Sequence, residues 1–148
     1  MNSHAPDQTP AGPRALSLHR PWAWLIIHAG KDIENRTWHT PYRGPVILHS
    51  ARPLNTAILA ELAHRHGSQA ARQAAFIGFV GVADLQSIHP ATACAGGCSP
   101  WAEPTGMHWV FADPRPFRSV IPGLGSRGLF DPLLPVLIEN ARLAKESA

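Results

Sequence analysis

Cysteine is nearly absent. Only Cys94 and Cys98 occur in 148 residues, too few for a disulfide framework and in keeping with a reducing compartment. Long apolar runs are missing too, since nothing approaches the ~20 consecutive residues of a membrane span. The opening stretch, residues 1–13, has neither the basic start nor the apolar middle of a secretory leader. Polar and proline-rich, it is expected to be a disordered tail ahead of a single domain over residues 14–148, a length that suits one core. The expected setting is cytoplasmic, with no membrane attachment and a monomeric state. Charged residues are sparse at 16%, whereas 45% of the chain is hydrophobic, enough to build a core.

What charge there is lies unevenly. The net value is +3 with histidine neutral. Between Arg14 and Arg52, six cations (Arg14, Arg20, Lys31, Arg36, Arg43 and Arg52) stand against two anions, Asp32 and Glu34, so this segment alone carries +4. It also holds Trp22, Trp24, Trp38, Tyr42 and four of the nine histidines. Cations hold phosphates while flat rings stack on bases, so the mixture suits a nucleic acid. It also suits a basic surface over a Trp-rich core, and composition alone favours that plainer account.

Periodicity divides the chain into short elements. Residues 15–18 read as a strand. Pro21 suits the first position of a helix, and Trp22, Leu25, Ile26 and Ala29 then fall on one helical face, with Gly30 as the stop. Strands follow at residues 31–38 and 44–50. A helix is expected over 55–75, with a break near Gly67. A strand over 75–85 is expected to bend or to be closely approached at Gly78 and Gly81. Residues 86–106, rich in Gly and Pro, form a loop long enough to be functional. Strands at 108–112 and 117–121 flank a turn at Asp113-Pro114. A short strand at 128–130 and a helix over 133–145 close the chain, and no internal repeat is visible. The fold class is α+β, mainly β: a small β-barrel with two to three flanking α-helices.

The densest chemistry follows the first helix, in Lys31-Asp32-Ile33-Glu34-Asn35-Arg36-Thr37-Trp38. In a strand Glu34, Arg36 and Trp38 share a face and Ile33 points to the core, while Lys31 reaches the same side from the preceding turn. A guanidinium can fork onto phosphate or a base edge, a carboxylate can accept from an exocyclic amine, and an indole can stack. The same residues would serve as a surface ion pair worth under ~1 kcal/mol.

The run Leu16-Ser17-Leu18-His19-Arg20-Pro21-Trp22-Ala23, the trio Lys31, Glu34 and Arg36, and Trp38-His39-Thr40-Pro41-Tyr42-Arg43-Gly44 together resemble the ASCH (activating signal cointegrator homology) family of the PUA-like superfamily. That family's pattern is Gly-x-Lys-x-x-Glu-x-Arg; Ala29 stands at the first position here, with Gly30 after it. The match is dense over residues 15–52 and looser through His108-Trp109 and residues 123–130. The resemblance implies a PUA-like barrel with a ligand cleft lined by Lys31, Glu34 and Arg36, and a role in binding nucleic acid, RNA foremost. Trp22, Trp38, Arg43 and His19 join the expected binding set, for RNA, single-stranded DNA or a modified nucleoside, with no cofactor. One bacterial branch that resembles the family hydrolyses acyl groups from modified cytidines with a Lys and a Thr. Glu34 occupies that Thr position, so the alternative, an amidohydrolase acting on a nucleoside such as N4-acetylcytidine, would rest on Lys31 and Glu34 as an acid–base pair.

Other motifs carry less. Cys94 and Cys98, with His89 before and His108 after, invite zinc, but spacing shows no second close pair, and no metal is expected. Residues 123–128 spell Gly-x-Gly-x-x-Gly without the strand-then-helix context of a dinucleotide site, and read as a turn. His49 is expected to be a hydrogen-bonded core histidine, and His64 and His66 to lie on a solvated face.

Overall fold

The computed structural model describes residues 12–95 and 97–146; the expected tail lies, through residue 11, outside them. The elements are β1 (Arg14–Arg20), α1 (Trp22–His28), β2 (Ile33–Arg36), β3 (Gly44–Leu54), α2 (Thr56–His66), α3 (Ser68–Ala74), β4 (Gly78–Pro90), a 3-10 turn (Ala91–Ala93), β5 (Met107–Pro122), β6 (Leu129–Phe130) and α4 (Leu134–Glu146). No helix among the described residues is long and apolar enough to cross a membrane.

The six strands form one sheet in the order β2-β5-β4-β3-β1-β6. The expected barrel does not close. Its margins are β2, of four residues, and β6, of two, too short for the staggered ladder that closure requires. Helices cover the sheet instead, and among the described residues they number four rather than two or three, because the predicted 55–75 helix divides at Gly67, where φ is +95°. The Asn55 side chain caps α2 by accepting from the Ile58 N–H at 3.1 Å.

All pairings are antiparallel except β1 with β3. Because both faces are covered, β3 is buried continuously from Val46 to Ser50 instead of alternating. Leu16, Leu18, Val46, Leu48, Val80 and Trp109 pack on one face with Ala23, Ile26 and Ile27 of α1. Ala15, Ile47, Phe79, Val82 and Phe117 pack on the other with Val136 of α4. Helix α1 is apolar nearly all round because Trp24 and Leu25, on its far side, meet Leu62 of α2 and Ala74 of α3.

The glycine readings in β4 correspond to real approaches. A Cβ on Gly78 would lie 2.4 Å from the Ile121 carbonyl oxygen, and one on Gly81 2.4 Å from that of Arg115. Two expectations need correction. β4 runs on through His89 and Pro90, so the loop starts at residue 91 rather than 86. The two strands expected at 108–112 and 117–121 are one strand, β5. Asp113-Pro114 is a bulge within it, with Asp113 at φ +51° and the register slipping between Val82 and Asp84.

Candidate functional site

The turn after α1 sets the site. Gly30 takes φ +75°, and the Lys31 N–H returns to the Leu25 carbonyl at 3.1 Å. Lys31 is thereby directed inward, where only 3% of it remains exposed. Its Nζ donates to the Ile33 carbonyl and to Glu34 Oε2 at 3.5 Å, and lies 5.2 Å from the Trp22 ring centroid. Glu34 is buried as well, and its Oε1 accepts from the Asn35 N–H at 3.1 Å. Arg36 donates to the Ser17 carbonyl at 3.4 Å and lies 5.6 Å from the Trp38 ring. Burial lowers both cations below their ordinary proton affinities, and the Glu34 charge restores only part of that.

These groups border one cleft of about 410 Å³, lined by His19, Trp22, Lys31, Glu34 and Arg36 on one side. Opposite stand Ile58 of α2 and residues 100–103 of the loop between β4 and β5. Asn35 pins that loop to β2: its Nδ2 donates to the Trp101 carbonyl at 2.9 Å, and its Oδ1 accepts from the Glu103 N–H at 2.9 Å. Ser99 Oγ adds a bond to Asp32 Oδ1 at 2.6 Å. A smaller recess of about 250 Å³, bordered by Leu25 and Leu62, shares Ile58 and Trp101 with the cleft.

Of the residues expected at the site, Lys31, Glu34, Arg36, Trp22 and His19 line the cleft together. Trp38 sits beyond the end of β2 and packs edge-on against Trp109, 4.7 Å between centroids, reaching the site only through Arg36. Arg43 does not line the cleft; it donates to the carbonyls of Thr40 and Tyr42, both at 2.7 Å, and braces its own turn. Asn35, Trp101 and Glu103 escaped the sequence reading. The one clue to the last two was the length of their loop, because no local pattern fixes what a loop folds over.

Two groups built on histidine lie outside the cleft lining. His49 is a buried, hydrogen-bonded core residue, with Nδ1 2.9 Å from Ser17 Oγ and Nε2 2.8 Å from the Gly123 carbonyl. Gly125 packs over this pair so closely that a Cβ would sit 2.0 Å from Ser17 Oγ; the Gly-rich stretch is packing, followed by β6 and not by a helix. The second group surrounds Cys94 and Cys98. Spacing shows no second close pair, but the β4–β5 ladder makes one by setting His89 opposite His108. The ligand atoms of His89, Cys94, Cys98 and His108 all lie within 4.8 Å of one another.

Comparison with known proteins agrees with this architecture. The ASCH domain model matches residues 16–120. Activating signal cointegrator 1 from Mus musculus and from Homo sapiens are each 52% identical over 29 residues, 20% of this chain and 5% of theirs. The crystal structure of a mutant ZmASCH protein from Zymomonas mobilis superposes with a TM-score of 0.53 at 14% identity, covering 91% of this chain and 98% of that one. At that identity the likeness concerns the fold. The family match spans most of the sheet and all of the cleft: this chain belongs to the ASCH domain family.

Proposed function

We propose that the protein binds single-stranded RNA by admitting one nucleotide into the cleft. The observation that carries this reading is the convergence of Lys31, Glu34 and Arg36 with Trp22 and Trp101 around one cavity. Its volume of about 410 Å³ lies in the range of small-ligand pockets, ~300–1,000 Å³, and suits one unstacked nucleotide rather than a duplex. In this reading the Arg36 fork takes phosphate or a base edge, Glu34 accepts from an exocyclic amine, and an indole supplies the stacking face. The strongest test is a salt titration of a short RNA. Neutralising Z phosphates on a single strand gives a log–log slope near −0.7Z, and Arg36→Ala is expected to flatten it by about 0.7. Affinity indifferent to salt and to Arg36→Ala would refute the reading.

A second reading, hydrolysis of an N-acylated nucleoside, draws on one observation: Lys31 is buried beside Glu34 and its proton affinity is lowered, as for a lysine poised to exchange protons. With a carboxylate where the resemblance would require a hydroxyl, binding is the better-supported function. Release of acetate from N4-acetylcytidine, lost in Lys31→Ala, would reverse that ranking.

A further inference from the structure

We propose that His89, Cys94, Cys98 and His108 bind one zinc ion, which staples the loop that walls the cleft. The ligand set is two thiols and two imidazoles, the soft and borderline donors that zinc selects in closed four-coordinate sites. Cys94 and Cys98 are separated by three residues, within the usual spacing of such pairs, and the Gly97 N–H donates to the Cys94 carbonyl at 2.9 Å. The histidines come from paired positions of β4 and β5, a rigid base on which the loop can close.

The distances approach those of a tetrahedron around one ion. Zn–N bonds of ~2.05 Å and Zn–S bonds of ~2.3 Å require edges of ~3.3 Å between nitrogens, ~3.6 Å between nitrogen and sulfur and ~3.8 Å between sulfurs. Here His89 Nε2 and His108 Nδ1 lie 3.3 Å apart, and His108 Nδ1 lies 3.4 Å from each Sγ. The two Sγ atoms, 3.0 Å apart, would move outward, and the His89 imidazole, within 4.8 Å of both, would draw closer to them to complete the tetrahedron. His108 is fully buried, and its Nε2 stands 2.6 Å from the Glu103 carbonyl. That bond places the ring proton on Nε2 and leaves the Nδ1 lone pair directed at the thiols, the outer support typical of metal-bound histidine. The exposed Cys98 marks the entry path. Binding releases the two thiol protons to solvent, and the ion with two thiolates and two neutral imidazoles carries no net charge.

A mechanical link to the cleft follows from the same bonds. Glu103 receives the second bond of His108 through its carbonyl and gives its N–H to Asn35 in the cleft floor. Trp101, three residues beyond Cys98, supplies the outer wall. The ion therefore fixes both ends of the segment that faces Lys31 and Arg36.

The test uses the whole chain, purified under reducing conditions after growth with added zinc. Metal analysis is expected to find one zinc per chain, and exchange for cobalt is expected to give tetrahedral d–d bands with a thiolate charge-transfer shoulder. Chelation is expected to speed proteolysis within residues 91–106 at least tenfold and to change Trp emission, with far-UV dichroism largely retained. Cys98→Ser and His89→Gln are each expected to lose the zinc and the cobalt bands. Wild-type protein that takes up neither metal, or that holds Cys94 and Cys98 as a disulfide resistant to reduction, overturns the site. Stoichiometric zinc whose removal leaves the loop's proteolysis unchanged overturns the staple. None of these readouts involves RNA, so their failure is separate from failure of the binding proposal.

Discussion

The Lys31–Glu34 pair poses a stability question that can be answered by a double-mutant cycle. At 3.5 Å between Nζ and Oε2 the attraction is ~5 kcal/mol at an effective dielectric of ~20. Burial nevertheless lowers the proton affinity of Lys31 more than Glu34 raises it, so desolvation outweighs the partner. A pair in that condition is costly to break and cheap to replace. Lys31→Met leaves a carboxylate in the cleft floor without its cation and an Ile33 carbonyl without its donor. The expected loss is ~3–5 kcal/mol, or roughly 10 °C in Tm for a chain of this size. Glu34→Leu is expected to cost less, ~2 kcal/mol, because a stranded lysine can shed its proton. The double variant Lys31→Met/Glu34→Leu is expected to be no worse than the worse single variant, giving an interaction energy of at least ~2 kcal/mol. Urea unfolding followed by far-UV dichroism reads this without depending on Trp22, which the lysine touches. Losses that add to within ~0.5 kcal/mol would refute the reasoning. A stable double variant that no longer binds ligand would mark the pair as kept for function at the expense of stability.

Three further outcomes are expected. Trp101→Ala weakens single-strand affinity by ~1–3 kcal/mol through lost stacking while Tm stays within a few degrees; an unchanged Kd by polarisation titration excludes Trp101 from the site. Gly81→Ala drives a Cβ to 2.4 Å from the Arg115 carbonyl and destabilises by at least ~1–3 kcal/mol, whereas wild-type stability in thermal unfolding would mean that the β4–β5 ladder lies differently. Burial lowers the proton affinity of His49, and the Gly123 carbonyl offsets part of it, so below an ordinary value near ~6.5 the unfolded chain binds a proton that the folded one refuses. Stability is therefore expected to be fully present above that pH and to fall as pH drops through it; His49→Gln should remove part of this slope, and an unaltered slope would assign it to other groups.

Much of the local structure was legible because local rules decide it. The spacing of Trp22, Leu25 and Ile26 marked α1, and Gly67 broke the long helix where a positive φ was needed. Gly78 and Gly81 announced a strand that other backbone crosses closely. What the sequence could not convey was register and long-range contact. Asp113-Pro114 has the composition of a turn, yet the partner strand holds it as a bulge, and nothing local tells the two apart. His89 and His108 are 19 positions apart and meet only because β4 pairs with β5 in one register. The cleft's inner half follows from the Lys31–Arg36 pattern. Its outer half depends on Asn35 capturing the backbone of Trp101 and Glu103, which no spacing foretells. The barrel was inferred from many short strands, but strand number does not determine closure when the margins are two and four residues long.

The place of β6 bears on how the chain is made. β1 pairs with β3 on one side and with Leu129–Phe130 on the other, and Arg14 meets Asp131 at 2.7 Å. During synthesis at ~5–20 residues per second, β1 acquires its β3 neighbour within some forty residues. Its other edge stays open at Ala15 and Leu16 for more than a hundred residues, until residues 129–131 clear the ribosome. An open edge on a strand as apolar as Ala15–Leu18 is a template for wrong pairing. The nascent chain thus carries an open apolar edge at Ala15 and Leu16 for more than a hundred residues of synthesis, and a chain released before residue 129 keeps it.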